Sequence, residues 1–135
     1  MKDCNRCKKT LELNKFVKCK KAKDGYNGMC RRCHSEMPSF CFSNLKKSAI
    51  RRGVEVKITL IDYKKILSDN NHSCNYCGDS IKGSTGGSLD RVDNSIGYTI
   101  KNVIVCCGIC NTMKSCMSSS EFLTHVNKIY IKNII

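Results

Sequence analysis

The chain has 135 residues, too few for a large apolar core, and a formal charge of +13 at pH 7. Twelve cysteines in so short a chain indicate that crosslinks or metal ions add to its stability. No apolar run approaches the roughly 20 residues of a membrane span, and the polar start Met1–Cys4 lacks the pattern of a secretory signal peptide. We therefore expect no membrane partner and an intracellular, reducing compartment (cytoplasm, nucleus or a viral particle), where paired cysteines bind metal.

The positive charge is concentrated in the N-terminal half. Residues 1–57 hold sixteen Lys or Arg and five Asp or Glu, a charge of +11, whereas residues 58–135 hold eight and six, a charge of +2. Eight cysteine thiolates on two zinc ions would lower the total charge to about +9, which is still strongly basic. A coding bias towards lysine does not explain this asymmetry. The expected partner is DNA, or RNA, bound through phosphate contacts.

Residues 1–37 are predicted to form a zinc ribbon. Two Cys-x-x-Cys pairs, separated by 22 residues, flank a polar stretch with turn signals at Asp24-Gly25 and Asn27-Gly28. Each pair puts two sulfurs on one side of a tight turn, so two pairs can complete a tetrahedral zinc site with a hairpin between them. Cys19 does not fit this spacing and is interpreted as a spare thiol. The ligands of this first, structural zinc ion are predicted to be Cys4, Cys7, Cys30 and Cys33.

Residues 38–71 are predicted to form a basic helical linker. Pro38 suits the first turn of a helix that ends before Gly53. Residues 54–58 alternate apolar and charged side chains, which indicates a short strand. Residues 59–62 then have the pattern of a capping box, which starts a second helix whose apolar positions are interpreted as core.

Several basic residues are candidates for contacts with nucleic-acid phosphates, while a solvated basic face without a partner remains an equal alternative for the linker helix. They lie in the second cysteine knuckle, on the linker helix and in the C-terminal unit. These candidates are Arg31, Arg32, Lys46, Lys47, Arg51, Arg52 and Lys114.

Residues 72–135 are predicted to form a third unit around a second structural zinc ion. Its Cys-x-x-Cys pairs are separated by 29 residues. Between them lie a Gly/Ser loop at 82–88 and short strands at 89–92 and 102–105, and a helix is predicted to start near Cys110. The ligands of this second zinc ion are predicted to be Cys74, Cys77, Cys107 and Cys110.

A last helix is predicted from a second capping-box pattern, Ser118 with Glu121. Three cysteines without a spacing partner, Cys41, Cys106 and Cys116, are interpreted as buried thiols. The apolar residues of the last helix, expected to face inward, are Phe122, Leu123, Val126, Ile129 and Tyr130.

The segments Cys74-x-x-Cys77, Leu89-Asp90-Arg91-Val92-Asp93-Asn94, Gly97-Tyr98, Asn102-Val103 and Cys107-x-x-Cys110-Asn111-x-x-Lys114 follow one another in a characteristic order. This order, two strands and then a helix entered from a zinc knuckle, resembles the ββα-metal module of HNH endonucleases. It is most similar to the zinc-bearing group that includes recombination endonuclease VII, and the N-terminal ribbon resembles one found ahead of such modules. The resemblance implies a small α+β zinc protein: a zinc ribbon, a helical linker, and an HNH-like module with a C-terminal helix.

The resemblance also implies a metal-dependent hydrolysis of DNA phosphodiesters. Asp90 matches the first-strand Asp that helps to hold a divalent metal, and Asn111 matches the second metal ligand at the start of the helix. Asn102 matches the middle Asn, which braces the loop and orients the general base. The implied catalytic ion is Mg²⁺ or Mn²⁺, with a shell completed by water and substrate phosphate. The zinc ions would be structural, because four cysteines leave no open coordination position.

Arg91 stands where HNH enzymes place their general-base His. A guanidinium, with a pKa above about 12, cannot accept a proton at neutral pH, although it can hold a phosphate through two hydrogen bonds. Asp93 and His72 are the other candidates for the base, although an exposed linker residue or a donor to a zinc ligand is the favoured interpretation of His72. His34 and His125 are interpreted as structural or exposed residues.

The sequence leaves more than one function class open, and nothing in it indicates an oligomeric state. The first hypothesis is an HNH-type DNA endonuclease whose activity is weakened by Arg91. The alternative is a catalytically inactive protein of nuclease fold that binds nucleic acid, alone or as part of a larger assembly. A zinc-stabilised protein adaptor is the third hypothesis, and the strong positive charge argues against it.

Overall fold

The computed structural model describes residues 1–81 and 89–135. Short antiparallel hairpins, five α-helices and the loops between them make up these residues. The Gly/Ser loop predicted at 82–88 lies outside the described residues. The strands are β1 (Lys2–Asp3), β2 (Thr10–Leu11), β3 (Phe16–Lys18), β4 (Tyr26–Cys30), β5 (Leu89–Arg91) and β6 (Val103–Val105). The helices are α1 (Arg31–Ser35), α2 (Pro38–Arg51), α3 (Leu60–Asp69), α4 (Gly108–Lys114) and α5 (Ser119–Ile134).

Two hairpins form the N-terminal ribbon. Strand β1 pairs antiparallel with β2, and β3 pairs antiparallel with β4, with Phe16 opposite Cys30. Gly25, in the turn before β4, has a φ of +76°, a left-handed conformation that glycine adopts at low cost. Phe16 and Cys4 are fully buried, and Leu11 packs against them. The hairpin predicted between the two cysteine pairs is therefore confirmed.

Helix α2 begins, and helix α3 is capped, at the residues predicted from the sequence. Helix α2 begins at Pro38 and ends at Arg51, and Gly53 beyond it has a φ of +66°. Thr59 caps α3: its hydroxyl accepts a hydrogen bond from the backbone N–H of Asp62 at 3.2 Å. The Asp62 carboxylate accepts one from the backbone N–H of Thr59 at 2.7 Å. The predicted capping box is confirmed, and it satisfies two backbone donors at the start of the helix.

The strand predicted at 54–58 is wrong. An isolated parallel bridge joins Val56 to Tyr98, and the backbone N–H of Tyr98 donates to the carbonyl of Glu55 at 2.9 Å. The partner of this alternating segment is a loop and not a strand, so the bridge does not extend into a ladder of paired residues. Gly97 permits this close approach, because a Cβ there would lie 2.5 Å from the carbonyl oxygen of Glu55.

The main apolar core joins segments that the sequence analysis assigned to different units. Helices α2 and α3, from the predicted linker at 38–71, pack against β5 and β6 of the predicted C-terminal unit. The helical segment is therefore a packed part of the fold, while the boundary at residues 71 and 72 stays a prediction. The buried members of this core are Phe42, Ala49, Ile58, Tyr63, Leu67, Leu89, Tyr98, Val103 and Val105.

Helix α5 begins at its predicted capping box, but most of its apolar face is uncovered. Phe122 is buried, whereas Leu123, Ile129 and Tyr130 are each about half exposed. The prediction that these three residues face a core is wrong, since periodicity shows that residues share a face and not what covers it. In the part of the chain that the structure describes, no helix has the length and hydrophobicity needed to cross a membrane.

Replacing Phe42 with Ala tests the shared core. We expect the free energy of unfolding to fall by about 3–5 kcal/mol, because a buried aromatic side chain is lost and a cavity remains. The matched control is Ile50→Ala on the same helix, where the side chain is 73% exposed and the expected change is small. Equal effects of the two substitutions in urea unfolding would show that α2 lies outside the core.

Candidate active site and metal sites

The first group of four cysteines lies within the ribbon. The Sγ atoms of Cys4, Cys7, Cys30 and Cys33 all lie within 4.8 Å of one another. The backbone N–H groups of Cys30 and Cys7 lower the pKa of Cys4 to about 6, and Cys30 N lies 3.3 Å from Cys4 Sγ. Burial, with the neighbouring thiols, raises the pKa of Cys33 to about 12. These backbone N–H groups favour the thiolate form of Cys4, which is the form that binds metal, and the four sulfur atoms can hold a zinc ion.

The second group of four cysteines connects the segment after α3 to α4. The Sγ atoms of Cys74, Cys77, Cys107 and Cys110 also lie within 4.8 Å of one another. Cys107 is the N-cap of α4, and its sulfur accepts the backbone N–H of Cys110 at 3.4 Å. A metal ion bound here would therefore fix the start of α4. Across residues 1–81 and 89–135, these two groups are the only sets of three or more His, Cys, Asp or Glu side chains close enough to share a metal ion.

The cysteines outside these two groups differ in burial. Cys106 is fully buried, and burial raises its pKa well above the usual range. Cys41 and Cys19 are partly buried, whereas Cys116 is exposed, so the interpretation of Cys116 as a buried thiol is wrong. Cys116 follows the end of α4, and its side chain lies outside the core.

Asp90 is a buried carboxylate in the middle of β5. It lies opposite Ile104 of β6 and is only 6% exposed, so its charge requires partners. The ammonium group of Lys114, on α4, lies 3.2 Å from Oδ2 and 3.4 Å from Oδ1 of Asp90, and it also donates to the carbonyl of Arg91 at 3.1 Å. The hydroxyl of Tyr76 donates to Asp90 Oδ2 at 3.1 Å. The carboxylate is therefore held from two directions.

Tyr76 connects this carboxylate to the last helix. Its hydroxyl oxygen lies 2.7 Å from Ser119 Oγ at the start of α5, and its ring packs edge-to-face on Phe122 at a centroid distance of 5.3 Å. Burial, with the nearby charge of Asp90, raises the pKa of Tyr76 to about 12. The phenol is therefore protonated at neutral pH and acts as a hydrogen-bond donor to Asp90.

Asn102 holds the loop between β5 and β6. Its side-chain oxygen accepts the backbone N–H of Asp93 at 2.9 Å, and its amide nitrogen donates to the carbonyls of Asp93 at 2.9 Å and Gly97 at 3.0 Å. Asn94 then ties the same loop to the end of α4, because its amide nitrogen donates to the carbonyl of Cys116 at 2.7 Å. These bonds fix the conformation of residues 93–97, which belong to neither a helix nor a strand.

Arg91 turns away from Asp90 and towards this loop. One terminal nitrogen of Arg91 donates to the carbonyls of Asn94 at 2.8 Å and Ile96 at 3.0 Å. The guanidinium lies 5.5 Å from the ring centroid of Tyr98, a distance at which cation–π attraction operates. Among the described residues, Arg91 forms no ion pair with Asp90, whose ion-pair partner is Lys114. Arg91 therefore supports the loop through one of its terminal nitrogens.

Asn111 lies on the same side of α4 as Lys114, because residues three positions apart on a helix are neighbours. Since Lys114 reaches β5, this face of α4 is directed towards Asp90. The side chain of Asn111 is partly exposed and has no hydrogen-bond partner among the described residues. Its amide oxygen is therefore available as a ligand.

The candidate general bases found from the sequence have other roles or positions. Asp93 accepts hydrogen bonds from the side chain of Ser95 at 2.6 Å and from its backbone N–H at 2.8 Å, and these bonds lower the pKa of Asp93. His72 is exposed, and its backbone has a φ of +52°. The ring of His34 packs on Phe40, and His125 is exposed on α5. Within the described contacts, none of the three histidines reaches Asp90.

Most of the predicted phosphate-binding residues are exposed, with one correction. Arg31, Arg32, Lys46, Lys47, Arg51 and Arg52 lie at the surface. Lys114 is fully buried, and its ammonium group is paired with Asp90, so it is not presented to nucleic acid. Tyr76 and Ser119 were not predicted from the sequence. The contacts of Tyr76 with Asp90 and Ser119 join residues 14 and 43 positions apart, so no local pattern indicates them.

Asp90 and Asn111 offer oxygen donors of the type that hard divalent cations bind. A carboxylate has about four lone-pair positions, and the contacts from Lys114 and Tyr76 use three of those on Asp90. One position remains, and the amide oxygen of Asn111, on the face of α4 directed towards β5, is a second candidate donor. Because Mg²⁺ sites often use one or two protein carboxylates together with substrate phosphates, the chemistry of these donors is compatible with such an ion.

Comparison with known proteins identifies the fold. The chain aligns over its full length with 99% of a chain of PacI, a rare-cutting HNH restriction endonuclease, with a TM-score of 0.54 and 24% identity. The predicted fold class, a small α+β protein of HNH endonuclease fold with two Cys4 groups, is confirmed. An uncharacterized protein of Acanthamoeba polyphaga mimivirus is 29% identical over 97 residues, which are 72% of this chain and 18% of that protein. No protein-family profile matches the chain.

Replacing Cys74 with Ala tests the second zinc site. We expect the purified protein to lose about one equivalent of zinc and to melt at a lower temperature, because three thiolates no longer complete the tetrahedral site. Cys106→Ala is the matched control, since Cys106 is buried beside the group but is not a member of it. Metal content measured by atomic absorption checks the result, and equal zinc loss in both variants contradicts the assignment.

Proposed function

We propose that the protein is a metal-dependent HNH-type DNA endonuclease that hydrolyses phosphodiester bonds. The observation that carries the proposal is the convergence of β5 and α4, which directs the face of Asn111 towards Asp90 beside a loop pinned by Asn102. This convergence occurs in the fold of an HNH restriction endonuclease. A protein that only binds nucleic acid has no evident need of both potential metal ligands, whereas hydrolysis uses both.

In this proposal Asp90 and Asn111 hold a Mg²⁺ or Mn²⁺ ion. Such an ion supplies positive charge that stabilises the charge developing on the phosphate and on the leaving oxygen. Asn102 keeps the loop at 93–97 in one conformation, so that Arg91 presents its unused N–H groups at a fixed place. A planar guanidinium suits two phosphate oxygens, and we assign Arg91 to the scissile or the adjacent phosphate. The two zinc ions are structural.

The basic surface would bring DNA to this site. Lys47 and Arg51 are exposed near the end of α2, and neither forms an ion pair with another described residue. A cleft of about 540 Å³ beside the first cysteine group is lined by Lys9, Lys15 and Arg31 as well as by apolar atoms. These cations can neutralise phosphates without reading sequence, so binding is expected to be strongly salt-dependent.

Nicking of supercoiled plasmid in Mg²⁺ or Mn²⁺ tests the activity. We expect cleavage by the wild type, and a loss of at least about 100-fold in Asp90→Asn and Asn111→Ala, because each removes a ligand that stabilises charge in the transition state. Asp90→Asn is close in shape to the native side chain, and Asn111→Ala changes a partly exposed position. Circular dichroism confirms that each variant is folded.

The matched controls are Asp69→Asn, at the exposed end of α3, and Asn127→Ala, on the exposed part of α5. Both are expected to cleave like the wild type. The proposal fails if wild-type protein with both zinc sites filled does not cleave in either metal, or if Asp90→Asn and Asn111→Ala cleave as well as these controls.

Removing two cations from α2 tests the DNA-binding surface. The double substitution Lys47→Ala and Arg51→Ala is expected to weaken binding to every duplex by a similar factor and to lower the salt slope by about 2, one per lost phosphate contact. The charge-matched control is Lys128→Ala with Lys132→Ala on α5. Fluorescence anisotropy at several salt concentrations measures both, and an equal loss in the two double variants would indicate a general effect of net charge.

A further inference from the structure

A fully buried lysine next to a potential metal ligand requires an explanation. Lys114 has no exposed surface, and such burial is very unusual for lysine unless its charge is paired. Its ammonium group contacts both carboxylate oxygens of Asp90 and the carbonyl of Arg91. All three acceptors belong to two consecutive residues of β5. The helix α4 thus delivers one positive charge to the same carboxylate that the proposed function assigns to a divalent cation.

We propose that Lys114 is an internal counter-ion of Asp90 that keeps the divalent-cation affinity of the free protein low. The inference rests on the proposed function, because it gives Asp90 its role as a metal ligand. In the free protein the charges of Asp90 and Lys114 cancel, and Asn111 is neutral. A divalent cation therefore gains little from these three residues alone, and it is also repelled by the nearby ammonium group.

Nucleic acid changes this balance. A phosphate placed beside Asp90 adds the negative charge and the oxygen ligands that the protein does not supply. Metal binding at this site is then coupled to DNA binding, and by linkage the metal tightens DNA binding by the same factor. Tyr76 has a separate, positioning role: its hydroxyl holds Oδ2 of Asp90 and is held in turn by Ser119. The carboxylate therefore keeps its orientation whether or not the metal is bound.

Mn²⁺ binding to zinc-loaded protein without DNA tests the inference, with the electron paramagnetic resonance signal of free Mn²⁺ as the readout. Lys114→Gln removes the charge but can still donate a hydrogen bond to Asp90. We expect this variant to bind Mn²⁺ at least about tenfold more tightly than the wild type, because the repulsion by a unit charge at short range is removed. Lys114→Arg keeps the charge and is expected to bind as weakly as the wild type.

The double variant Asp90→Asn with Lys114→Gln shows whether the Mn²⁺ ion binds at Asp90. The tighter Mn²⁺ binding of Lys114→Gln is expected to disappear when Asp90 is also replaced. Mn²⁺ is also expected to raise the melting temperature of Lys114→Gln more than that of the wild type, because a ligand stabilises the state that binds it. A purely structural lysine would lower the melting temperature without changing Mn²⁺ affinity. Equal affinity of wild type and Lys114→Gln, or tightening that survives Asp90→Asn, overturns the inference.

If Lys114→Gln does not fold, the comparison of wild type with Asp90→Asn decides. The inference requires the two to bind Mn²⁺ alike without DNA, and the wild type alone to bind it more tightly once a DNA duplex is added. A wild-type site more than about tenfold tighter than in Asp90→Asn without DNA, or no difference between the two with DNA, contradicts it. The plasmid assay is separate from these measurements. Absence of cleavage together with the expected Mn²⁺ results would remove the nuclease and leave the counter-ion role of Lys114 in place.

Discussion

Two groups of four sulfur atoms hold together elements that are too short to be stable alone. In residues 1–81 and 89–135 the strands have two to five residues and each sheet has two strands, and isolated two-stranded hairpins are at best marginal in water. The first group joins the start of the chain to β4 and α1, and the second joins the turn after α3 to the N-terminus of α4. Zinc at these sites would supply folding free energy directly, and the apolar core of α2, α3, β5 and β6 can then remain small.

The second group also lies at the start of α4, the helix that faces β5. Because Cys107 caps α4 and Cys110 lies in its first turn, a metal ion bound by this group would fix the position and direction of the helix. Asn111 and Lys114 follow on one face of it. The pairing of Lys114 with Asp90 then adds a mutual constraint, since either charge left alone in this buried position would be costly. Support for the fold and preparation of the site are thus carried by the same short helix.

The sequence predicted the parts of this arrangement that depend on local spacing. Cysteine spacing predicted the two sulfur groups, and side chains three residues apart predicted both capping boxes, since these interactions lie within a few residues. Contacts between distant segments were less predictable. Lys114 has the same local pattern as a surface lysine, and only its approach to Asp90 across the fold accounts for its burial. Val56 alternates like a strand residue, but its partner Tyr98 lies in a loop.

The residue directly after Asp90 has structural contacts that its residue type alone does not reveal. Arg91 cannot be a base, yet its guanidinium holds two loop carbonyls and stacks on Tyr98, whose hydroxyl also accepts a hydrogen bond from Arg52 at 3.1 Å. This connects the end of α2 to the loop beside Asp90. The same position therefore links the end of the basic helix to the strand that holds Asp90. The contacts of Arg91 with the loop and with Tyr98 account for this residue as a structural one, whether or not the site is catalytic.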